Sequence, residues 1–260
     1  MVTVKPRFEG MLIERPINGL SADFLRSSHG EDIFREARDL AVNKYGSAKP
    51  LMVAVYNNNI AQVSNPFYVV LVNEVLRQDS SQKVRTATQA DIERILRAGD
   101  PLKLKENYYV DTALVLRSAE DSYKTNASLA KDLIEQVKRR QGEHMKLPVM
   151  IPLYNLDLNV ADNNYGLGFT LREDAQIIHA PVLNQSGKFS SVNYETGLPD
   201  SIGEGNRTLY TRKDGLSRLY LGRDLDLYSN RGNLGNSYEA GRVVVCGEAA
   251  HTEDLEQRAK

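Results

Sequence analysis

Two carboxylates stand two positions apart at Asp224 and Asp226. On an extended strand alternate side chains share a face, so this spacing aims both acids the same way. Such a pair can hold a divalent cation against a phosphate, which is the chemistry of magnesium or manganese enzymes acting on phosphate esters or nucleotides. Asp157, in the similar string Asn155-Leu156-Asp157-Leu158-Asn159, is the candidate auxiliary carboxylate if the two segments are neighbours. A different reading comes from the surrounding pattern. Leu219, Leu221, Leu225 and Leu227 alternate with Arg218, Tyr220, Asp224, Asp226 and Tyr228. That predicts one continuous half-buried strand over 217–228 with both aspartates on its solvent face. The alternation favours this second reading, so no cofactor is expected, and Mg or Mn belongs to the enzyme alternative.

Other catalytic patterns are absent or incomplete. Gly-x-Ser-x-Gly, Walker A, Gly-x-Gly-x-x-Gly and His-Glu-x-x-His strings do not occur. Ser128-Leu129-Ala130-Lys131 matches a Ser-x-x-Lys string but lacks the Lys-Thr-Gly that should follow, and Ser128 reads as a helix cap. Asp162 to Glu173 has the outline of a calcium loop, yet Leu167 stands where the turn glycine is required. A hairpin turn explains Asp162-Asn163-Asn164-Tyr165-Gly166 better. The four histidines are scattered, and His179, in an apolar run, reads as a core residue. With a single cysteine, Cys246, neither an intrachain disulfide nor a multi-cysteine metal site can form.

A basic and aromatic group remains. Tyr210, Arg212, Tyr220 and Arg223, with Arg207, Lys213 and Arg218, mix cations and rings over segments that read as strands. Tyr and Arg are enriched at protein interfaces. They also suit single-stranded RNA, where bases stack on rings and cations follow phosphates. The expectation is a non-catalytic binding or assembly protein anchored by Tyr210, Arg212, Tyr220 and Arg223. A protein partner or self-association leads, with the metal-dependent enzyme and single-stranded RNA binding as alternatives. Lys plus Arg number 33 against 34 Asp plus Glu, which argues against a basic coat for duplex DNA.

These residues need a scaffold. The chain of 260 residues is long enough to bury a core without staples. It shows no apolar membrane span and no secretory pattern, so a soluble, cytoplasmic protein is expected. Apolar spacing predicts helices over 31–45, from Thr88 (with Asp91 completing a capping box) to Gly99, and from Asn126 or Ser128 to Arg140. Strands are expected over 8–14, 51–56, 67–76, 108–116 and 147–160, with a βαβ crossover across 108–153. Beyond residue 160, short strands at 166–172, 175–183, 207–212, 217–228 and 242–247 predict a mostly antiparallel region. The fold class is therefore α/β or α+β: a mixed sheet with about three helices over 1–154, then a β-rich part over 155–250, forming either two parts or one continuous domain. The 23 residues from 184 to 206, rich in Gly, Ser and Asn, read as a long lid, interface or disordered loop. Residues 251–260 read as a polar tail.

Overall fold

The computed structural model describes residues 20–24, 27–57, 60–78, 84–142 and 144–248. Among them lie four α-helices: α1 (Ser27–Asn43), α2 (Pro66–Leu76), α3 (Gln89–Arg97) and α4 (Ala127–Gln141). The strands are β1 (Leu20–Phe24), β2 (Val55–Asn57), β3 (Ile60–Gln62), β4 (Val84–Thr86), β5 (Val110–Leu116), β6 (Val149–Pro152) and β7 (Leu156–Val160). They continue with β8 (Leu167–Leu171), β9 (Ile178–His179), β10 (Gly187–Phe189), β11 (Arg207–Thr211), β12 (Leu216–Leu221), β13 (Leu227–Ser229) and β14 (Val244–Glu248). The architecture is α+β. Its main sheet has seven strands in the order β10-β11-β13-β12-β5-β6-β9. The β11–β13 pairing is parallel, and the others in this sheet are antiparallel. A second sheet runs β1-β14-β4, and β2-β3 and β7-β8 form separate hairpins.

Alternation along the central strands divides the interior into two cores. Leu114, Leu116, Leu216, Val243 and Val245 face a core shared with α1, α2, α4 and the β7–β8 hairpin. Val110, Ala113, Val115, Leu219, Leu221, Leu227, Val244 and Cys246 face the other, shared with Ile92 and Ile95 of α3 and with Leu183, Phe189 and Leu198. Both cores thus combine residues from before and after position 154.

Local chemistry explains where the expected elements hold. Thr88 accepts from the Asp91 amide, and the Asp91 carboxylate accepts from the Thr88 amide, so α3 begins with the capping box its sequence implies. The stretch expected as a strand over 67–76 is instead α2. Asn65 caps it through the Tyr68 amide at 2.9 Å, and Pro66 supplies the pre-set first turn. Nearly every residue of α2 is buried, so no polar stripe marks its period. The expected strand over 51–56 is a short 3-10 turn (Lys49–Leu51) followed by the β2–β3 hairpin. The crossover over 108–153 is also corrected. β5 and β6 are antiparallel neighbours with Leu116 opposite Val149, so the link through α4 returns to the end of the sheet it left.

Residues 217–228 are not one ribbon. β12 ends at Leu221, the chain reverses through Gly222–Asp226, and β13 begins at Leu227. The reversal is closed by the Gly222 amide on the Asp226 carbonyl at 2.9 Å and by the Leu225 amide on the Gly222 carbonyl at 3.0 Å. Leu225 takes φ 65°, the left-handed position that ends a three-residue hairpin loop. The span expected as strand over 175–183 contains only β9 and a 3-10 helix, and His179 is exposed at the sheet edge rather than buried. Asn126 occupies the cap position of α4, but its side chain binds the carbonyls of Leu216 and Gly232 instead of capping. The 184–206 segment is docked: β10 pairs with β11, Val192 bridges Pro199, and Phe189 and Leu198 are buried. The strand expected over 8–14 and the tail over 251–260 lie outside the described residues.

Candidate functional site

The site is built on one face of the main sheet, where the α2/α4 cover gives out. Arg218 and Tyr220 of β12 share that face with Tyr228 of β13 and Tyr210 of β11, because Tyr220 pairs with Tyr228 and Tyr228 with Tyr210 in register. Directly opposed rings on neighbouring strands come into contact. Tyr210 and Tyr228 stack at 4.9 Å, and Tyr228 and Tyr220 at 5.0 Å. Tyr109 continues the row edge-on to Tyr220 at 5.8 Å, and Tyr238 edge-on to Tyr109 at 6.5 Å.

A β-bulge sets the electrostatics behind this ladder. The β5–β12 register shifts between Leu219 and Tyr220, so Ala113 faces Leu219 while Asp111 faces Tyr220. Thr112 is the extra residue, and its hydroxyl turns to the Gln89 side chain at 3.0 Å on the α3 side. The shift moves Asp111 onto the face of Arg218. There the pair meets at two points: Nε to Oδ1 at 2.6 Å, and Nη2 to Oδ2 at 2.7 Å. Ser64 donates its hydroxyl to the same carboxylate at 2.7 Å. Arg218 also donates to the Asn236 carbonyl at 2.9 Å and lies 4.8 Å from the Tyr220 ring centre. Burial alone lifts the Asp111 carboxyl above its ordinary range, and the guanidinium pulls against it.

The 230–241 return segment walls this face and leaves a cleft of about 560 Å³. Tyr109, Arg218, Tyr220, Arg223, Asp224 and Tyr228 line it from the sheet side. Arg231, Asn233, Asn236 and Tyr238 line the opposite wall. It shares Tyr109, Arg223 and Tyr238 with a second hollow beside Val53, Val55, Gln62 and Glu239. Burial raises the Tyr109, Tyr220 and Tyr228 phenols above their ordinary value, and for Tyr228 the bond to Asp224 adds to it. At neutral pH these hydroxyls are therefore protonated donors.

Of the expected anchors, Tyr220 and Arg223 line the cleft. Tyr210 stands at the far end of the ring ladder, 37% exposed and outside the cleft lining. Arg212 is elsewhere. Its side chain is 11% exposed, with Nη2 2.8 Å from both Asp214 and the Ser122 hydroxyl and also on Asp121, so it staples β11 to the loop before α4. Of the candidate metal ligands, Asp224 and Asp226 are neighbours and Asp157 stands apart from them. Asp224 and Asp226 sit in the hairpin reversal, and Asp157 lines a separate cleft with Lys44, Glu74 and Arg77. Asp157 is ion-paired to Arg77, with Arg172 at 3.6 Å. Asp224 accepts the Tyr228 hydroxyl at 2.6 Å and the Asp226 amide at 3.1 Å. Asp226 accepts the Thr208 amide at 2.6 Å. Burial raises the Asp226 carboxyl, with that amide opposing. Among the described residues no group of three or more His, Cys, Asp or Glu is arranged to hold a metal ion.

Tyr109, Tyr228, Arg231, Asn233, Asn236 and Tyr238 complete the cleft and were not among the expected anchors. Tyr109 comes from more than a hundred positions upstream, and only the β5–β12 register brings it here. No family model, curated protein or solved structure matches this chain.

Proposed function

We propose that this is a non-catalytic binding or assembly protein that holds its partner in the tyrosine–arginine cleft. One observation carries the reading: a concave surface where five tyrosines in ring contact, two of them lying just beyond or at its rim, meet exposed arginines. Concavity with a few convergent polar groups is the usual form of a ligand site. Rings and guanidinia are the side chains that most often anchor a partner. The polar atoms behind the rings are already committed to one another, which suits a rigid platform rather than a reaction centre. Tyr220 and Arg223 act within the cleft, and Tyr210 extends the aromatic row past it.

The test is site-specific photo-crosslinking in the cells that make the protein. A benzophenone amino acid at Tyr238, 68% exposed, reports on the cleft, and one at Val160, 67% exposed on β7, serves as the control. Adducts at position 238, absent at 160 and lost on Arg223→Glu, are expected. Equal adducts at both positions, or none at 238, would overturn the proposal.

A further inference from the structure

We infer that what the cleft takes is a nucleotide unit, its base against Tyr238 and its phosphate at Arg223 and Arg231. The unit arrives either as a free ribonucleotide or within single-stranded RNA, and the experiment below separates the two sources. This inference rests on the cleft being the binding surface.

Charge is the first ground. Arg218 is neutralised by Asp111 within the wall. Arg223 and Arg231 remain, both exposed and with the Arg231 side chain bonded, among the described residues, only to the neutral Tyr220 phenol, against one lining carboxylate, Asp224, which the Tyr228 hydroxyl already engages. Arg223 makes no side-chain hydrogen bond or ion pair among the described residues. The vacant chemistry is therefore cationic, and its complement is an anion.

Ring surface is the second ground. Tyr238 touches Tyr109 only at an inclined angle of 67° and leaves most of its ring to solvent. Such a ring offers a platform for any base. Asn236, exposed beside it, presents a carboxamide with both donor and acceptor atoms, the pattern that pairs with a base edge. Size agrees too: about 560 Å³ lies within the ordinary range for small-ligand sites. A folded protein partner fits less well. It needs roughly 800 Å² with an apolar centre, whereas the large exposed apolar side chains here are Tyr210, Tyr238 and Val55, set apart on different segments. The second hollow borders the first at Tyr109, Arg223 and Tyr238 and adds Glu239 to the neighbourhood.

The experiment measures anisotropy of fluorescein-labelled decauridylate and decaadenylate with the full chain. AMP and inorganic phosphate are the competitors, and labelled deca-glutamate is the anionic control. Expected are saturable RNA binding that weakens with salt, a loss of tenfold or more on Arg223→Glu, and a loss of roughly fivefold or more on Tyr238→Ala. Both substituted side chains are exposed, and melting curves check that each variant folds. RNA binding displaced by AMP supports strand recognition. An AMP-induced rise in melting temperature without RNA binding, lost in the same variants, supports the free nucleotide. Silence of both RNAs and AMP at millimolar concentration would overturn the inference, as would equal binding by Tyr238→Ala or deca-glutamate binding as tightly as RNA. If the nucleotide probes are silent while the position-238 crosslink persists, the ligand class fails and the cleft reading stands. If both are absent, both fail.

Discussion

Replacing Asp111 by Ala tests whether the bulged β5–β12 pairing holds the cleft together. Asp111 is fully buried, meets Arg218 at 2.6 and 2.7 Å, and accepts the Ser64 hydroxyl at 2.7 Å. Without it, Arg218 at 5% exposure retains only neutral partners: the Asn236 carbonyl at 2.9 Å, the Ser64 carbonyl at 3.4 Å, and the Tyr109 and Tyr220 rings. Breaking a buried pair from one side costs about 3–5 kcal/mol, chiefly through the stranded charge. The orphaned Ser64 hydroxyl adds about 1 kcal/mol. The whole fold is worth roughly 5–15 kcal/mol, so the variant should sit near the edge of stability. The double variant Asp111→Leu with Arg218→Met removes both charges and should recover at least about 2 kcal/mol of the loss. Urea unfolding followed by circular dichroism reads both, since the chain has no tryptophan. A single-variant loss below about 1 kcal/mol, or a double variant no better than the single, would refute the reasoning.

Three further outcomes follow from the same geometry. Gly197 has φ +72°, and a Cβ there would fall 2.4 Å from the Gln89 backbone, so Gly197→Ala should cost roughly 2–4 kcal/mol in urea unfolding and expose Lys188 to trypsin. A silent substitution would mean that the 184–206 segment is not seated on α3. Burial by itself would lift the Asp91 carboxyl, but hydrogen bonds from Arg85 and Thr88 outweigh it and hold the group below its ordinary range. Its contribution is therefore present above pH about 4 and lost as pH falls below that value. Unfolding free energies between pH 2.5 and 6 should fall less steeply with acid in Asp91→Asn, and an unchanged slope would contradict this. Millimolar magnesium or manganese should leave the melting temperature unchanged, because Asp224 and Asp226 already accept hydrogen bonds and Asp157 lies in another cleft. A rise removed by Asp224→Asn would restore the metal-enzyme reading.

Sequence patterns revealed elements where one residue pair carried local chemistry. Thr88 and Asp91 sufficed for α3, and Asn163-Asn164 with Gly166 sufficed for the β7–β8 turn. They misled where burial is uniform. From Phe67 to Leu76 nearly every side chain is buried, so period 2 and period 3.6 look alike, and the Asn65-Pro66 start is the sign that separates them. At 217–228 the leucines at 219, 221, 225 and 227 keep one parity across the reversal, and only Gly222-Arg223 interrupts them. Leu225 adopts a left-handed φ instead of yielding the position to glycine, and its side chain packs on the second core. Tyr220 and Arg223 could be read as residues of the cleft wall because they are close in sequence to the hairpin that presents them. Tyr109, Tyr238 and Asn236 could not, since strand register and the return of the 230–241 segment bring them together only in the fold.

Ring-carbon NMR of the thirteen tyrosines, each assigned by single Tyr→Phe exchange, reads the cleft most directly. AMP, decauridylate, deca-glutamate and magnesium chloride would be titrated separately. Shifts should arise with a nucleotide probe and cluster at Tyr109, Tyr220, Tyr228 and Tyr238, with a weaker echo at Tyr210 through the stack, while the buried Tyr45, Tyr68 and Tyr165 stay still. Shifts centred on any other tyrosines would show that this face is not where the protein binds, and cleft rings unmoved by every probe would contradict the nucleotide reading.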